Sequence, residues 1–356
     1  MTTSDTFLAC SRCFTDRGLQ LDAEQIGVAD TAVCPNCGST SGLKLPEAGL
    51  QALAYRFFVW GSLVRFKYGA APLVQFNEHQ KTSISVSSWL QRDLEQIGSL
   101  LGVGFFHYGP HFWMFGEVEP LKALQRKMSR PSIVERIIRE YPTRSVNPGE
   151  SFYRIRKAPN HPTAEHEYDS PPVNVKGSGR LDTIGLPVLY ASPDLQVCVH
   201  ECRVTAEDEL YVATLKPASD LKLLDLSVIL KEDDSITEFE SLDMAVHMLF
   251  LAGKHSHKIT REIAAAARSA GFDGMIYPSY FSLLRNGVMP FQTVYGISHR
   301  RIPQMQDHEN AKAVPNLAIF GRPIEEKKLE ILCINKLILN RVAYDFHFGP
   351  ASVEET

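Results

Sequence analysis

Four cysteines carry the most local chemistry in this sequence. Cys10-Ser11-Arg12-Cys13 and Cys34-Pro35-Asn36-Cys37 are two Cys-x-x-Cys pairs with twenty residues between them. Each pair closes a tight loop that aims two thiols at one point. Two such loops predict a tetrahedral four-thiolate site suited to structural Zn2+. Gly38 follows the second pair and permits the backbone turn that such loops need. Four thiolates leave no open coordination position, so a metal here is expected to hold structure rather than react. Cys198, Cys202 and Cys333 lack spacing partners and read as buried apolar residues. Seven cysteines, an odd count, favour a reducing compartment, the cytoplasm, over a disulfide framework.

The second constellation is spread over the back half. A Tyr153-Arg154 strand comes first, then Asp169-Ser170-Pro171-Pro172, then Gly177-Ser178-Gly179-Arg180. Pro187-Val188-Leu189-Tyr190-Ala191-Ser192 and a helix bearing Glu201 follow, and then Gly271-Phe272-Asp273-Gly274-Met275-Ile276-Tyr277-Pro278-Ser279. Taken singly, Arg180 and Glu201 read as surface charges, Tyr190 as core and Ser279 as a turn residue. Their order and spacing, ten residues from Arg180 to Tyr190 and eleven to Glu201, resemble the RES domain family. Asn316-Leu317-Ala318-Ile319-Phe320 also matches the segment that follows the Ser in that family. The resemblance spans residues 152 to about 325. Leu181-Asp182 and the run Val197–His200 depart from the family pattern, and residues 280–314 read as an insertion, a candidate lid.

The resemblance implies an ADP-ribosyltransferase-like fold and an enzyme that degrades NAD+ by cleaving the nicotinamide–ribose bond, either a glycohydrolase using water or a phosphorylase using phosphate. It assigns catalysis to Arg180, Tyr190, Glu201 and Ser279. Arg154, Arg180, Tyr190 and Ser279 are expected to bind substrate, although Arg154 also reads as a strand end. Nicotinamide leaves as a neutral molecule, so one carboxylate facing the developing oxocarbenium charge suffices. Arg180 suits the diphosphate or the ribose edge, and Tyr190 can stack on a flat ring. Family members act as toxins restrained by antitoxins, so an antitoxin, an immunity protein or an activating trigger is an expected partner, and antiviral defence an expected setting. Two alternatives compete. A protein ADP-ribosyltransferase is weakened by Val199, two residues before Glu201, where such transferases carry Glu or Gln. A non-enzymatic nucleotide-sensing module would be expected to lose Arg180 or Glu201.

The pattern of elements predicts an α+β chain in three parts: a four-cysteine module over 1–45, a mainly helical domain over 46–145 that is a candidate regulator, and the catalytic domain over 146–356. A helix is expected to start at Pro46-Glu47, with Leu50, Leu53, Ala54, Phe57, Phe58, Leu63 and Val64 at helical spacing. Ser88–Leu101, Pro120–Met128 and Pro131–Tyr141 read as further helices, with Trp60, Trp89 and Trp113 as core anchors. In the back half, strands are expected at 152–155, 186–190, 211–215 and 221–228. A helix is expected over Thr260–Ala270, with Thr260 as N-cap and Gly271 just past its end.

Composition bounds the rest. The 356 residues are 44% hydrophobic and 10% aromatic, which suits a folded protein. No stretch of 18 apolar residues occurs, which argues against a membrane span, and no secretory signal opens the chain. The net charge of −4, with three basic against five acidic residues over 1–45, disfavours nucleic acid as a partner.

Overall fold

A computed structural model describes residues 6–108, 118–175, 177, 179–282, 293–294 and 297–356. His111, Trp113 and Ser178, and residues 283–292, 295 and 296 of the expected insertion, lie outside the described residues. The contacts divide the chain into two units rather than three. One comprises residues 1–66, 70–112 and 343–356, and the other residues 67–69 and 113–342.

In the first unit, β1 (Phe7–Cys10) pairs with β2 (Lys44–Pro46) and brings the two cysteine loops together. Between them lies α1 (Arg17–Ile26), whose N-cap Asp16 accepts the Leu19 amide at 2.8 Å. α2 (Glu47–Ala54) starts where Pro46 predicts and buries Leu50, Leu53 and Ala54. The helical spacing was expected to continue through Leu63 and Val64, but the chain turns extended there. β3 (Leu63–Phe66), β4 (Gly69–Pro72), β5 (Val74–Asn77) and β6 (Ile84–Val86) follow. Short β-branched and aromatic segments punctuated by Gly and Pro favour strands over a continued helix. α3 (Ser88–Leu101) buries Leu90, Leu94 and Ile97, a 3.6-residue stripe, and ends at Gly102 with φ +66°. Trp89 stands on the outer face of α3 at 63% exposure rather than in the core. Asp93, wholly buried, accepts the amides of Thr15 and Asp16 and the Thr15 hydroxyl. β7 (Gly104–His107) pairs with β5.

Residues 343–356 complete this unit. The strand Val353–Glu355 pairs antiparallel with β6. Phe348 packs on the core and donates its amide to the buried Asp22 carboxylate at 3.1 Å. The backbone passes so close to Gly61 that a Cβ there would lie 2.5 Å from the Gly349 Cα.

The second unit begins with α4 (Glu119–Gln125) and α5 (Arg130–Glu140). Its strands are β8 (Thr143–Val146), β9 (Phe152–Lys157), β10 (Val188–Ala191), β11 (Leu210–Pro217), β12 (Leu221–Asp225) and β13 (Gly274–Pro278). β14 (Thr293–Val294) and β15 (Ile297–Ser298) form a small ribbon, and β16 (Pro315–Phe320) and β17 (Leu329–Leu337) follow. A five-stranded sheet runs β10-β16-β13-β12-β8, antiparallel except between β12 and β13. A three-stranded antiparallel sheet runs β17-β11-β9. Phe152, Leu215, Leu223, Ile276 and Ile319 bury the space between the two sheets.

Three helices of this unit matter to the site: α6 (Leu195–Glu201), α7 (Leu242–Leu251) and α8 (His257–Ser269). α7 is buried on nearly every side, as its mostly apolar sequence requires, and its buried Asp243 is paired with Arg300. α8 begins at His257, three residues before the expected start. Thr260 is not its cap: the Thr260 hydroxyl donates back to the carbonyls of His257 and Arg180. Gly271 takes φ +83° just past the helix, as expected. The observed mixture of helices and sheets is α+β, as the sequence implies. No helix among the described residues is long and apolar enough to cross a membrane.

Candidate active site

Glu201 is the last residue of α6, and its side chain is exposed. The helix is fixed at its other end by Asp194, whose carboxylate accepts the Val197 amide at 3.0 Å. Two donors reach the same carboxylate oxygen. The Ser279 hydroxyl donates to Glu201 Oε1 at 2.7 Å, and Asn316 Nδ2 donates to it at 2.6 Å. Ser279 follows β13 and is wholly buried; its amide donates to the Val314 carbonyl. Asn316 sits on β16 opposite Tyr277 of β13 and is 3% exposed. Glu201 and Asn316 both line a cavity of about 490 Å3, and Ser279 supports Glu201 from behind.

Arg180 and Lys254 bring positive charge to the same cavity, and His257 lines it too. The Arg180 guanidinium donates to the carbonyls of Ala252 (2.8 Å) and Leu249 (3.4 Å), where α7 ends, and to the Ser256 hydroxyl (3.3 Å). Burial pushes its pKa down. His257 is held neutral, pushed down to about 4 by burial and then by the neighbouring Arg180, Arg261 and Lys254. The one group of three or more metal-ligating side chains among the described residues is the four cysteines.

Tyr190 lines the cavity, and its hydroxyl ties a loop together. Its hydroxyl donates to Asp182 Oδ1 at 2.8 Å and accepts the amides of Leu181 and Asp182. Gly179 is required by this knot. A Cβ there would lie 2.2 Å from Asp182 Oδ1 and 2.5 Å from the Tyr190 hydroxyl. The glycines before Arg180 thus make room for Asp182 and Tyr190. Asp182, where the family pattern departs, is the partner that replaces it.

Arg154, 7% exposed on β9, also faces the cavity. Its guanidinium donates to the carbonyls of Tyr190 (2.8 Å) and Asp169 (3.0 Å), which ties β9 to β10. Burial pushes it down to about 9. Cys198 and Cys202 line the cavity as well, but burial pushes Cys198 up to about 12 and raises Cys202, so neither is a thiolate nucleophile. Tyr280 and Phe281 close one edge, with Phe281 stacked against His200. Sequence reasoning assigned no role to Asn316, Tyr277 or Asp182. Asn316 and Tyr277 left a signal only as members of the quoted Asn316–Phe320 and Gly271–Ser279 segments.

The four cysteines form a second, separate constellation. Their sulfur separations are 3.9 Å (Cys10–Cys13), 3.6 Å (Cys10–Cys37) and 3.5 Å (Cys13–Cys34), and all four sulfurs lie within 4.8 Å of one another. A tetrahedron with metal–sulfur bonds of about 2.3 Å has edges of about 3.8 Å, so the donor set fits zinc. Cys10, Cys13 and Cys34 are buried, and Cys37 is exposed. Gly38 adopts φ +71° and closes the second loop onto the Cys34 carbonyl. A neighbouring recess of about 540 Å3, lined by Arg12, Glu24 and Asp30 among others, is broad and gathers no convergent chemistry.

A protein-family model, the RES domain, matches residues 151–302. That span contains Arg154, Arg180, Tyr190, Glu201 and Ser279. No curated protein matches the chain. Among solved structures, a chain of the M. tuberculosis MbcT–MbcA toxin–antitoxin complex aligns with 58% of this chain and 92% of its own length, at 15% identity and a TM-score of 0.34. A superposition that loose carries nothing about the site.

Proposed function

We propose, from the premise that residues 151–302 are a RES domain, that the cavity takes NAD+ and that Glu201 promotes cleavage of the bond between nicotinamide and ribose. The observation that carries this reading is a single carboxylate, held at one oxygen by Ser279 and Asn316, in a cavity that Arg180, Lys254 and His257 also line. The glycosidic C–N bond breaks with its electron pair going to the nicotinamide nitrogen, which leaves neutral. The ribose gains oxocarbenium charge, and the Glu201 carboxylate stabilises it. Water then bonds to the anomeric carbon and releases a proton to solvent, or phosphate bonds through a charged oxygen. Arg180 and Lys254 suit the diphosphate. Arg154, through its two terminal nitrogens, and Tyr190, through its hydroxyl, hold the cavity wall together.

Purified full-length protein is expected to consume NAD+ and release nicotinamide. ADP-ribose as co-product would establish a glycohydrolase, and ADP-ribose 1″-phosphate a phosphorylase. Intact NAD+ after long incubation with and without phosphate sinks the enzymatic reading, while label from NAD+ on protein would make it a protein ADP-ribosyltransferase. An enzyme that drains cytoplasmic NAD+ needs restraint, so we assign the chain to toxin or defence roles with an antitoxin or trigger as partner. Residues 1–112 with 343–356 are the candidate regulatory part, since the expected boundary at 145 would cut α4, α5 and β8 from the second unit. A fragment of residues 113–342 that is more toxic than the full chain would support this. We also propose that Cys10, Cys13, Cys34 and Cys37 hold one structural zinc, which the sulfur geometry favours.

A further inference from the structure

We infer that Asn316 and Ser279 are a positioning clamp that selects which oxygen of Glu201 meets the substrate: Oε1 is pinned, and Oε2 is the working atom. This rests on the reading of Glu201 as the catalytic carboxylate. Both hydrogen bonds end on Oε1, at 2.6 and 2.7 Å. Oε2 receives none among the described residues. An exposed Glu at a helix end has three side-chain torsions to explore, and a carboxylate that wanders cannot sit opposite one developing charge.

The donors are well placed to prevent this. They project from neighbouring antiparallel strands, with Tyr277 opposite Asn316 and Pro278 opposite Pro315. The sheet register therefore fixes the gap between the two donors. Ser279 is wholly buried and Asn316 is 3% exposed, so neither side chain has room to swing. The Ser279 hydroxyl proton is committed to Glu201, and its oxygen accepts the Phe281 amide at 3.1 Å. With its proton committed, its side chain wholly buried and no share in the cavity lining, Ser279 is a positioning residue. Asn316 supplies an N–H donor to the carboxylate without adding charge of its own.

The test uses the full-length chain with Asn316→Ala, Ser279→Ala and the double variant, each made with Glu201 intact and with Glu201→Gln. With Glu201 intact, each single variant is expected to lower kcat about 10- to 100-fold, the range for one hydrogen bond to a charged group, with KM for NAD+ changed less than about threefold. In the Glu201→Gln background the same substitutions are expected to change kcat by less than about twofold, because there is no working oxygen left to place. Undiminished kcat, a loss confined to KM, or additive losses in the Glu201→Gln background overturns the clamp. Crystal structures of the parent and of Asn316→Ala provide a readout besides activity. The Glu201 carboxylate should be ordered in the first and occupy several rotamers in the second; a single ordered rotamer in both overturns the clamp. Absence of NAD+ turnover in the unaltered chain instead defeats the catalytic reading, while the rotamer comparison still decides the clamp.

Discussion

The four-cysteine cluster and the Glu201 pocket are built in opposite ways. Cys10 and Cys37 meet across 27 residues, and each half of the cluster is shaped by its own short loop. Glu201 and Asn316 meet across 115 residues, and neither strand nor helix alone brings them together. The first constellation is dictated by spacing. The second is dictated by the register of β13 against β16 and by where α6 ends. A local site can therefore be damaged only by changing its own residues, whereas an assembled one is exposed to any change that slips the sheet.

The sharpest way to break the contrast is at the metal. Replacing Cys34 and Cys37 with Ser should remove about one zinc per chain and cost the first unit on the order of 10 kcal/mol of binding-linked stability. Metal analysis and calorimetry check this. The expected trace loses the transition of the first unit and keeps that of the second; a metal-free chain with unchanged melting would refute the zinc assignment. Next in size is Glu201→Gln, expected to lower kcat on NAD+ about 10²- to 10³-fold with no change in melting temperature, since the side chain is exposed. A matching loss of stability would make Glu201 a structural residue.

A smaller effect tests the assembled site at a distance. Tyr190→Phe removes one donor to Asp182 and the acceptor of two amides, leaving a buried carboxylate short of a partner. About 1–3 kcal/mol of stability should be lost, measured by urea unfolding. Smallest is a pH effect at His257. The unfolded imidazole takes its proton below about 6.5, and the folded one only below about 4. The unfolded state thus binds more protons in that window, and the second unit should lose stability as pH falls through it. His257→Gln should flatten this part of the profile; an unchanged slope would rule His257 out.

Much of this was legible in the residues because it was local. The cysteine loops, α3 with its Leu90, Leu94 and Ile97 stripe, and Gly271 as a left-handed helix stop follow from short-range rules. Glu201 and Ser279 were legible only through their order along the chain, which says nothing of the hydrogen bond that joins them. Trp89 shows the limit of residue type as a guide to burial, because one step along the helix face decides it. Tyr190 shows another limit. Its aromatic ring suggested stacking, but its hydroxyl is taken up by Asp182 and two amides, partners fixed by a loop whose course the sequence does not disclose. The strands after α2 were hidden because Leu63 and Val64 happen to continue the helical spacing.

The return of residues 343–356 to the first unit has a consequence in time. Val353–Glu355 and Phe348 complete a unit whose other parts end at residue 112, so residues 113–342 of the second unit are translated in between. Domains ordinarily fold in the order they leave the ribosome. Here the unit begun first is the one finished last, after every strand around the Glu201 cavity has already been synthesised.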